Sequence, residues 1–210
     1  MTDFDLEAAT WDSNPMRIER ARAVAQGIRA NLNLSLEIKA LEYGCGTGLL
    51  SFALQPDLGH ITLADNSKGM LAVLNEKIAS TGISNMTSMF VDFAAGPLSE
   101  PTTSPQLKYN LIYTLMTLHH IPDTAKILKE FYNLLDVPGY LCVADLDKED
   151  GTFHGIDFEG HKGFDRDELG ASILQAGFHS VKFETIFQSP RAVGNETKHF
   201  PLFLMIAEKR

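Results

Sequence analysis

Apolar and polar residues follow two recurring patterns along this chain of 210 residues. Short apolar runs bounded by glycine, proline or aspartate are typical of buried strands, and apolar residues repeated every three or four positions are typical of helices. The predicted strands are 37–43, 60–65, 86–91, 109–115, 140–146, 181–187 and 201–208. The predicted helices are 14–32, 48–54, 67–79, 123–135 and 165–177. Their alternation predicts an α/β fold in which a mostly parallel sheet lies between two layers of helices.

Two of the predicted helices carry clear boundary signals. Asn14 can cap the first helix, with Pro15 in its first turn. Asp165 and Glu168 have the spacing of a capping box, and Gly177 marks the end of the same helix.

The chain shows no internal repeat or low-complexity tract, so we expect residues 1–210 to form a single domain. Residues 1–34 would be a helical cap at its start. The stretch 97–106, rich in proline, serine and threonine, is expected to be a surface connection. The stretch 151–164 is long and irregular for a plain connector, which predicts a lid over a substrate; an ordinary surface loop is the alternative.

Three glycines, Gly44, Gly46 and Gly48, follow the first predicted strand. Glycines permit a tight strand-to-helix turn and let a ligand approach bare backbone. A dinucleotide-binding loop has its third glycine one place later, where this chain has Leu49. The loop by itself is therefore compatible with a bound ligand or with a simple tight turn.

Two aspartates end the next two strands. Asp65 comes about twenty residues after the glycines, where a carboxylate can accept hydrogen bonds from ribose hydroxyl groups. Asp92, followed by Phe93, could accept a hydrogen bond from an adenine amino group. The alternatives are a helix cap at Asp65 and an ordinary turn at Asp92. Because ligands of open α/β sheets bind beyond the carboxyl ends of the strands, these positions define the candidate site.

The formal net charge of −9 argues against a nucleic-acid partner, because phosphate backbones are usually bound by a basic surface. A small-molecule partner is the better expectation. The two cysteines, Cys45 and Cys142, are too few for a disulfide framework and indicate a reducing compartment. Residues 1–10 lack the pattern of a secretory signal, and no apolar run is long enough to cross a bilayer. We therefore expect a cytoplasmic protein, whose oligomeric state the sequence leaves unknown.

The segments 41–50, 63–65, 91–92 and 118–121 together resemble the S-adenosylmethionine (SAM) binding motifs of class I methyltransferases. The resemblance covers about residues 37–146 and is strongest to the group that contains quinone-biosynthesis C-methyltransferases and many small-molecule methyltransferases. It implies a three-layer α-β-α Rossmann-like fold, with a seven-stranded, mostly parallel sheet whose last strand is antiparallel. It also implies SAM as cofactor, S-adenosylhomocysteine as product, and in-line methyl transfer without a metal or a covalent intermediate.

The resemblance also implies a role for each residue at the strand ends. The amino-acid part of SAM would be bordered by Gly44, Cys45, Gly46 and Gly48, and its ammonium group by Glu42. Its ribose would be held by Asp65, and its adenine by Asn66, Asp92 and Phe93. Thr114 and the following residues 115–117 would lie beside the methyl-bearing sulfur.

The segment 11–20 lies outside these motifs, and in related enzymes such a segment often folds over the cofactor. Arg17 could then meet the cofactor carboxylate, and Trp11 could close the acceptor side. The alternative for Arg17, slightly favoured, is a solvated helix face that it shares with Glu19 and Arg20.

Histidines provide the candidate acid–base groups. His119 and His120 follow the fourth strand, where a histidine could take a proton from a hydroxyl acceptor; a structural role is the favoured alternative. His154 is a further candidate in the stretch 151–164, which also contains His161. These histidines lack regular metal-ligand spacing, so no metal site is predicted.

The sequence thus predicts a SAM-dependent methyltransferase that acts on a small molecule. One alternative is a non-catalytic SAM-binding sensor or scaffold. Another is a methyltransferase of a modified tRNA base, since some such enzymes share the His-His turn. An NAD-dependent oxidoreductase is disfavoured by the early third glycine, Gly48, and by the lack of a recognisable Tyr-x-x-x-Lys pair. The sequence does not fix whether carbon, nitrogen, oxygen or sulfur accepts the methyl group.

Overall fold

The computed structural model describes residues 3–91, 108–155 and 158–210. Its strands are β1 Lys39–Tyr43, β2 His60–Asp65, β3 Met86–Phe90, β4 Tyr109–Leu115, β5 Leu135–Leu146, β6 His179–Val193 and β7 Glu196–Lys209. They form one sheet of seven strands in the order β3-β2-β1-β4-β5-β7-β6. The first five strands run parallel, and β7 runs antiparallel to both of its neighbours. This sheet confirms the predicted fold class.

The helices are α1 Asp3–Glu7, α2 Pro15–Asn31, α3 Leu49–Leu54, α4 Lys68–Thr81, α5 Thr124–Leu134 and α6 Arg166–Ala176. Short 3-10 turns lie at Ala8–Ser13, Gln55–Asp57 and Leu118–His120. None of the helices in the described ranges combines the length and the apolar content that a membrane crossing requires.

The predicted helix caps are observed. The side chain of Asn14 accepts a hydrogen bond of 3.0 Å from the backbone nitrogen of Met16. Asp165 accepts hydrogen bonds from the backbone nitrogens of the second and third residues after it, at 3.0 and 3.1 Å. The carboxylate of Glu168 lies 3.8 Å from Nζ of Lys148, so within the described residues only the Asp165 half of the predicted capping box forms.

The closing hairpin is longer than its sequence predicts. β6 and β7 continue past their apolar runs to a two-residue turn that contains Gly194, whose φ is 60°. Arg191 and Lys198 are paired across this outer part. The two predicted closing strands are confirmed, but their outer ends were missed because those ends carry few apolar residues, although backbone pairing continues. β5 likewise begins at Leu135, which the sequence places at the end of a helix.

Hydrophobic side chains fill both faces of the sheet. One cluster unites the sheet with α2, α3 and α4, and contains Val24, Ile28, Leu50 and Leu74. The other unites it with α5 and α6, and contains Leu128, Phe131, Leu169 and Ile173. The helices thus form two layers, one on each face of the sheet. Because the first five strands are parallel, their carboxyl ends lie at the same edge of the sheet.

Candidate functional site

The strand order of the sheet reverses between β1 and β4. The connections that follow these two strands therefore run to opposite faces of the sheet, which leaves a crevice between them at the carboxyl edge. The three glycines after β1 all have positive φ, of 72°, 54° and 81° in chain order. A Cβ atom on Gly44 would overlap the side chain of Thr117, and one on Gly48 would lie 2.8 Å from Cδ1 of Leu74. A Cβ atom on Gly46 would meet nothing nearer than 3.8 Å. Gly44 and Gly48 therefore let the turn pack closely against neighbouring side chains. At Gly46, by contrast, the backbone is open to a ligand.

Asp65 ends β2 and faces the glycine loop. Its Oδ2 accepts a hydrogen bond of 2.7 Å from the backbone nitrogen of Gly46, and its Oδ1 accepts one of 2.8 Å from that of Ser67. Burial raises the pKa of the Asp65 carboxyl group, although both amides oppose this shift. The side chain of Ser67 caps α4 by accepting a hydrogen bond of 3.1 Å from the nitrogen of Met70. Because a carboxylate can accept about four hydrogen bonds, Asp65 retains capacity for ligand hydroxyl groups.

Glu42 points into the interior and is only 2% exposed. It accepts a hydrogen bond from Oγ of Ser51, which also lies 2.5 Å from the hydroxyl group of Tyr113. Burial raises the pKa of Glu42 to about 8, so its carboxyl group is mostly protonated at neutral pH. This network joins β1, α3 and β4, and the predicted contact of Glu42 with an ammonium group stays a prediction.

The remaining predicted adenine and loop residues are placed as follows. The side chain of Cys45 is buried in the hydrophobic cluster beneath α2, α3 and α4. Asn66 is exposed next to Asp65. Asp92 and Phe93 lie outside the described residues, as does the predicted connection 97–106.

The end of β4 carries an unpaired polar atom and an unusual backbone. Thr114 is 2% exposed, and its Oγ1 has no hydrogen-bond partner among the described residues. Met116 has a φ of 54°, which is rare for a residue with a side chain. Thr117 then donates a hydrogen bond of 3.2 Å to the carbonyl oxygen of Gly44. Backbone in such a conformation persists where its surroundings hold it, and it is common at functional sites.

The N-terminal segment, residues 3–13, bridges the loops that follow β1 and β2 at the carboxyl edge of the sheet. The carboxylate of Asp5 accepts a hydrogen bond of 2.6 Å from Oγ of Ser67 at the start of α4. The carboxylate of Asp12 accepts hydrogen bonds of 2.5 Å from Oγ1 of Thr47 in the glycine loop and 2.6 Å from Nζ of Lys77. The segment therefore lies across the rim of the crevice.

Arg17 is engaged within this part of the chain. Its Nη2 donates a hydrogen bond of 2.9 Å to Glu7, and its guanidinium carbon lies 3.5 Å from the ring centre of Trp11. Nε1 of Trp11 is the atom nearest to the open side of Gly46. Trp11 thus lies over the glycine loop, and the predicted contact of Arg17 with a carboxylate stays a prediction.

The expectation that Arg20 lies on a solvated helix face is wrong. Arg20 is 9% exposed, and its Nε has no hydrogen-bond partner among the described residues. Burial lowers its pKa to about 10, and the positive charges of Arg17 and Arg191 act in the same direction. The signal in the sequence was its place on the apolar stripe of α2, midway between Met16 and Val24. A buried guanidinium group with an unpaired donor suits an anionic ligand.

Three imidazole rings meet beyond β4 and β5. Nδ1 of His119 lies 2.7 Å from Oδ1 of Asp145, and neither side chain is more than 1% exposed. Nε2 of His154 lies 3.1 Å from Nε2 of His119, and the ring of His120 is centred 4.1 Å from that of His119. Burial lowers the pKa of His120 and of His154 to about 4, so both rings are neutral at neutral pH.

Asp145 is a residue that the sequence analysis missed. Burial by itself would raise the pKa of its carboxyl group, but the interaction with His119 and the hydrogen bond from the amide of Leu146 outweigh burial and hold this pKa below its usual value. The signal was a carboxylate inside an otherwise apolar strand, since a buried charge needs a partner.

A cavity of about 660 Å³ opens beside the three histidines, lined by His120, Pro122, Phe158, Glu159, Gly160 and His161. The second half of the stretch 151–164 forms its wall. The backbone nitrogen of His161 donates to the carbonyl oxygen of His119 at 2.8 Å, and that of Phe164 donates to Leu146 at 2.9 Å. Residues 156–157 lie outside the described residues. This half of the stretch is thus hydrogen-bonded to the core, and its role as a lid stays a prediction.

Comparison with known proteins relates this site to one family. The model of a methyltransferase domain family matches residues 34–163. The uncharacterized methyltransferase C1347.09 of Schizosaccharomyces pombe is 34% identical over 119 residues, which cover 55% of this chain and 41% of that protein. A ubiquinone biosynthesis O-methyltransferase of Marinobacter nauticus is 26% identical over 117 residues, which cover 55% of this chain and 47% of that protein. The chain therefore matches less than half the length of these two relatives.

A solved structure extends the likeness over the whole chain. It is the complex between the Haloferax volcanii Trm112 methyltransferase activator and a proposed methyltransferase, with a TM-score of 0.76 and 17% sequence identity. The superposition covers 99% of this chain and 98% of that chain. At this identity the likeness shows a shared fold.

Proposed function

The chain belongs to the class I SAM-dependent methyltransferase family, and we propose that it transfers the methyl group of SAM to a small-molecule acceptor. The observation that carries the proposal is the pairing of the open backbone at Gly46 with the carboxylate of Asp65. This pair can hold a ribose beside a loop that a ligand can approach closely. Both residues lie within the part of the chain that matches the family.

Polar groups near the crevice fit the polar parts of SAM. Asp65 has acceptor capacity left for the ribose hydroxyl groups. Arg20 has an unpaired donor for the cofactor carboxylate, and we assign this contact to Arg20 because Arg17 is already paired with Glu7. The hydroxyl group of Thr114, also buried without a partner, marks the strand end beside which the sulfur would lie. A buried polar group without a partner costs about 1–3 kcal/mol, so a ligand that satisfies it is favoured.

SAM supplies a methyl group activated by its positively charged sulfur. The task of the chain is therefore to align this group with the acceptor and to exclude water. Trp11 and Asp12 hold the N-terminal segment over the glycine loop, which limits access of water from that side. Positioning of this kind can lower a reaction barrier by several kcal/mol.

The acceptor side suits a small molecule. The cavity of about 660 Å³ beside His120 has a volume typical of small-molecule sites. The net charge of −9 disfavours a nucleic-acid acceptor. If the acceptor is a hydroxyl group, His120 is neutral at physiological pH and can accept its proton.

We further propose that residues 1–210 work as a single domain in the cytoplasm. The seven strands of the described residues belong to one sheet. Cys45 and Cys142 are both free and buried, which suits a reducing compartment.

Cofactor binding is tested by thermal unfolding with added ligands. SAM and S-adenosylhomocysteine should raise Tm, whereas NAD should not, because a ligand stabilises the folded state that binds it. A rise with NAD alone would overturn the proposal.

The acceptor class is tested with labelled SAM and a cell extract divided by ultrafiltration into small molecules and macromolecules. We expect label in the small-molecule fraction, and much less with Asp65→Ala. Label in the macromolecular fraction alone would refute a small-molecule acceptor. SAM binding without any label transfer would instead favour a sensor.

A further inference from the structure

We propose that His119, His120 and His154 form a binding site for a divalent first-row transition-metal ion, with Zn²⁺ preferred. One ring nitrogen of each histidine lies within 4.8 Å of those of the other two. Imidazole nitrogens bound to Zn²⁺ at about 2.0–2.1 Å in tetrahedral geometry are separated by roughly 3.3 Å. Ring movements that shorten the longest of these separations would bring all three nitrogens to ligand positions, within the limits that the neighbouring aromatic rings set.

Asp145 fixes His119 in the form that a metal ligand requires. Its Oδ1 lies 2.7 Å from Nδ1 of His119, and it also accepts a hydrogen bond of 2.8 Å from the nitrogen of Leu146. The carboxylate keeps the proton on Nδ1, which leaves the lone pair of Nε2 free. A carboxylate that orients a histidine in this way is a common outer partner of metal-binding histidines.

His154 lies close enough to His119 for the two rings to share one ion. Their Nε2 atoms are 3.1 Å apart, a separation that a hydrogen bond between the two rings also gives and that is near the roughly 3.3 Å between two ligands of one Zn²⁺ ion. The ring of Phe158 stacks on that of His154 with centres 4.1 Å apart, and the rings of Phe4 and His120 are nearly perpendicular with centres 5.4 Å apart. These contacts restrict the rings, so little side-chain freedom remains to be lost when an ion binds.

The ligand set selects the class of ion. Three imidazole nitrogens suit Zn²⁺ and its neighbours among the transition metals, whereas Mg²⁺ and Ca²⁺ prefer oxygen ligands. Three protein ligands also leave a coordination position for a further group. His120 lines the cavity of about 660 Å³, so the ion would lie next to the proposed acceptor side. The positive charge of Arg191 opposes a cation beside His154, and the negative charge of Asp145 acts in the opposite direction.

The fold creates this cluster from residues that are distant in sequence. His119 and His120 lie in the 3-10 turn after β4, while His154 follows β5. Their spacing in the sequence predicts no metal site, because the ligands meet only when the chain after β5 folds back. The inference concerns the ion alone and does not depend on methyl transfer.

Metal titration of protein without a histidine tag, first stripped of metal, tests the site. Calorimetry with Zn²⁺ should give one ion per chain, and Co²⁺ should give the visible absorption of a tetrahedral complex that Zn²⁺ displaces. His120→Ala and His154→Ala should weaken Zn²⁺ binding by at least about 100-fold, and Asp145→Asn by about 10–100-fold. His199→Ala, which removes an exposed histidine on β7, is the matched control and should leave the affinity unchanged.

Circular dichroism and a cooperative urea-denaturation transition establish that each variant is folded. Wild-type protein that fails to bind Zn²⁺ and Co²⁺, or that binds Zn²⁺ no more tightly than folded His154→Ala, would overturn the metal site. His119 and His154 would then be a hydrogen-bonded pair. Failure to bind SAM with intact metal binding would refute the proposed function and leave the metal site standing.

Discussion

Oδ2 of Asp65 accepts a hydrogen bond of 2.7 Å from the backbone nitrogen of Gly46, so the end of β2 holds the glycine loop that follows β1. The other carboxylate oxygen binds the amide of Ser67. Asp65 therefore shapes the crevice through these two amides and can still accept hydrogen bonds from a ligand.

Replacing Asp65 with alanine should weaken SAM binding by about 1–3 kcal/mol, because hydrogen-bond donors of the ligand and of the loop lose their partner. Asp65→Asn keeps one acceptor oxygen and should lose less. Isothermal titration calorimetry with SAM measures both effects. Asp57→Ala, which removes a carboxylate paired with Arg29 at the surface, is the control. Wild-type affinity in Asp65→Ala would remove Asp65 from the site.

Alanine at Gly44 and alanine at Gly46 should have different effects. Both positions have positive φ, so each substitution costs about 1–2 kcal/mol in backbone strain. Gly44→Ala also creates an overlap with Thr117 and should destabilise the fold further. Gly46→Ala has room within the protein but places a methyl group in the crevice, and should weaken SAM binding at least about tenfold. Urea denaturation and calorimetry separate the two effects, and full SAM affinity in Gly46→Ala would show that the ligand does not approach this backbone.

Arg20→Met should weaken SAM binding without lowering the free energy of unfolding. Removal of a buried guanidinium group with an unpaired donor should leave the ligand-free protein as stable as before, or more stable by about 1 kcal/mol. SAM affinity should fall by about 1.5–3 kcal/mol, the usual worth of a hydrogen bond to a charged group. Arg17→Met, which removes a partly exposed ion pair with Glu7, is the matched control and should change affinity much less. A less stable variant with unchanged SAM affinity would give Arg20 a structural role instead.

Glu42 should make stability decrease as pH rises. Its pKa in the folded protein is about 8, compared with an ordinary value of 4.5. Between these values the unfolded chain releases a proton that the folded protein keeps, so the free energy of unfolding falls with increasing pH. Relative to wild type, Glu42→Gln should therefore gain at least about 1.4 kcal/mol between about pH 5 and about pH 8. Urea denaturation at both pH values measures this gain, and the exposed substitution Glu37→Gln should not show it.

Where the sequence carries strong local signals, the observed bounds of an element agree closely with the predicted ones. β2 and β4 have the predicted bounds, because a short apolar run between turn residues is a local property. The outer halves of β6 and β7 lack that signal, and only backbone pairing reveals them. The caps at Asn14 and Asp165 were predictable for the same reason, since a cap depends on neighbouring residues.

The candidate site was predictable where the fold class determines it. Gly46 and Asp65 follow neighbouring parallel strands, and such strand ends lie at one edge of the sheet. The burial of Arg20 had a local signal, its place on the apolar stripe of α2, which the sequence analysis did not use. The contact of His154 with His119 depends on the path of the chain after β5, a tertiary feature that local patterns cannot specify.

Asp5 connects the N-terminal segment to the start of α4, and Asp12 connects it to the glycine loop. A ligand held beside Gly46 and Asp65 can leave past residues 3–13 only when these contacts open together. Release by that route then depends on local opening of residues 3–13, which should be faster at higher ionic strength because salt weakens the partly exposed ion pair between Asp12 and Lys77.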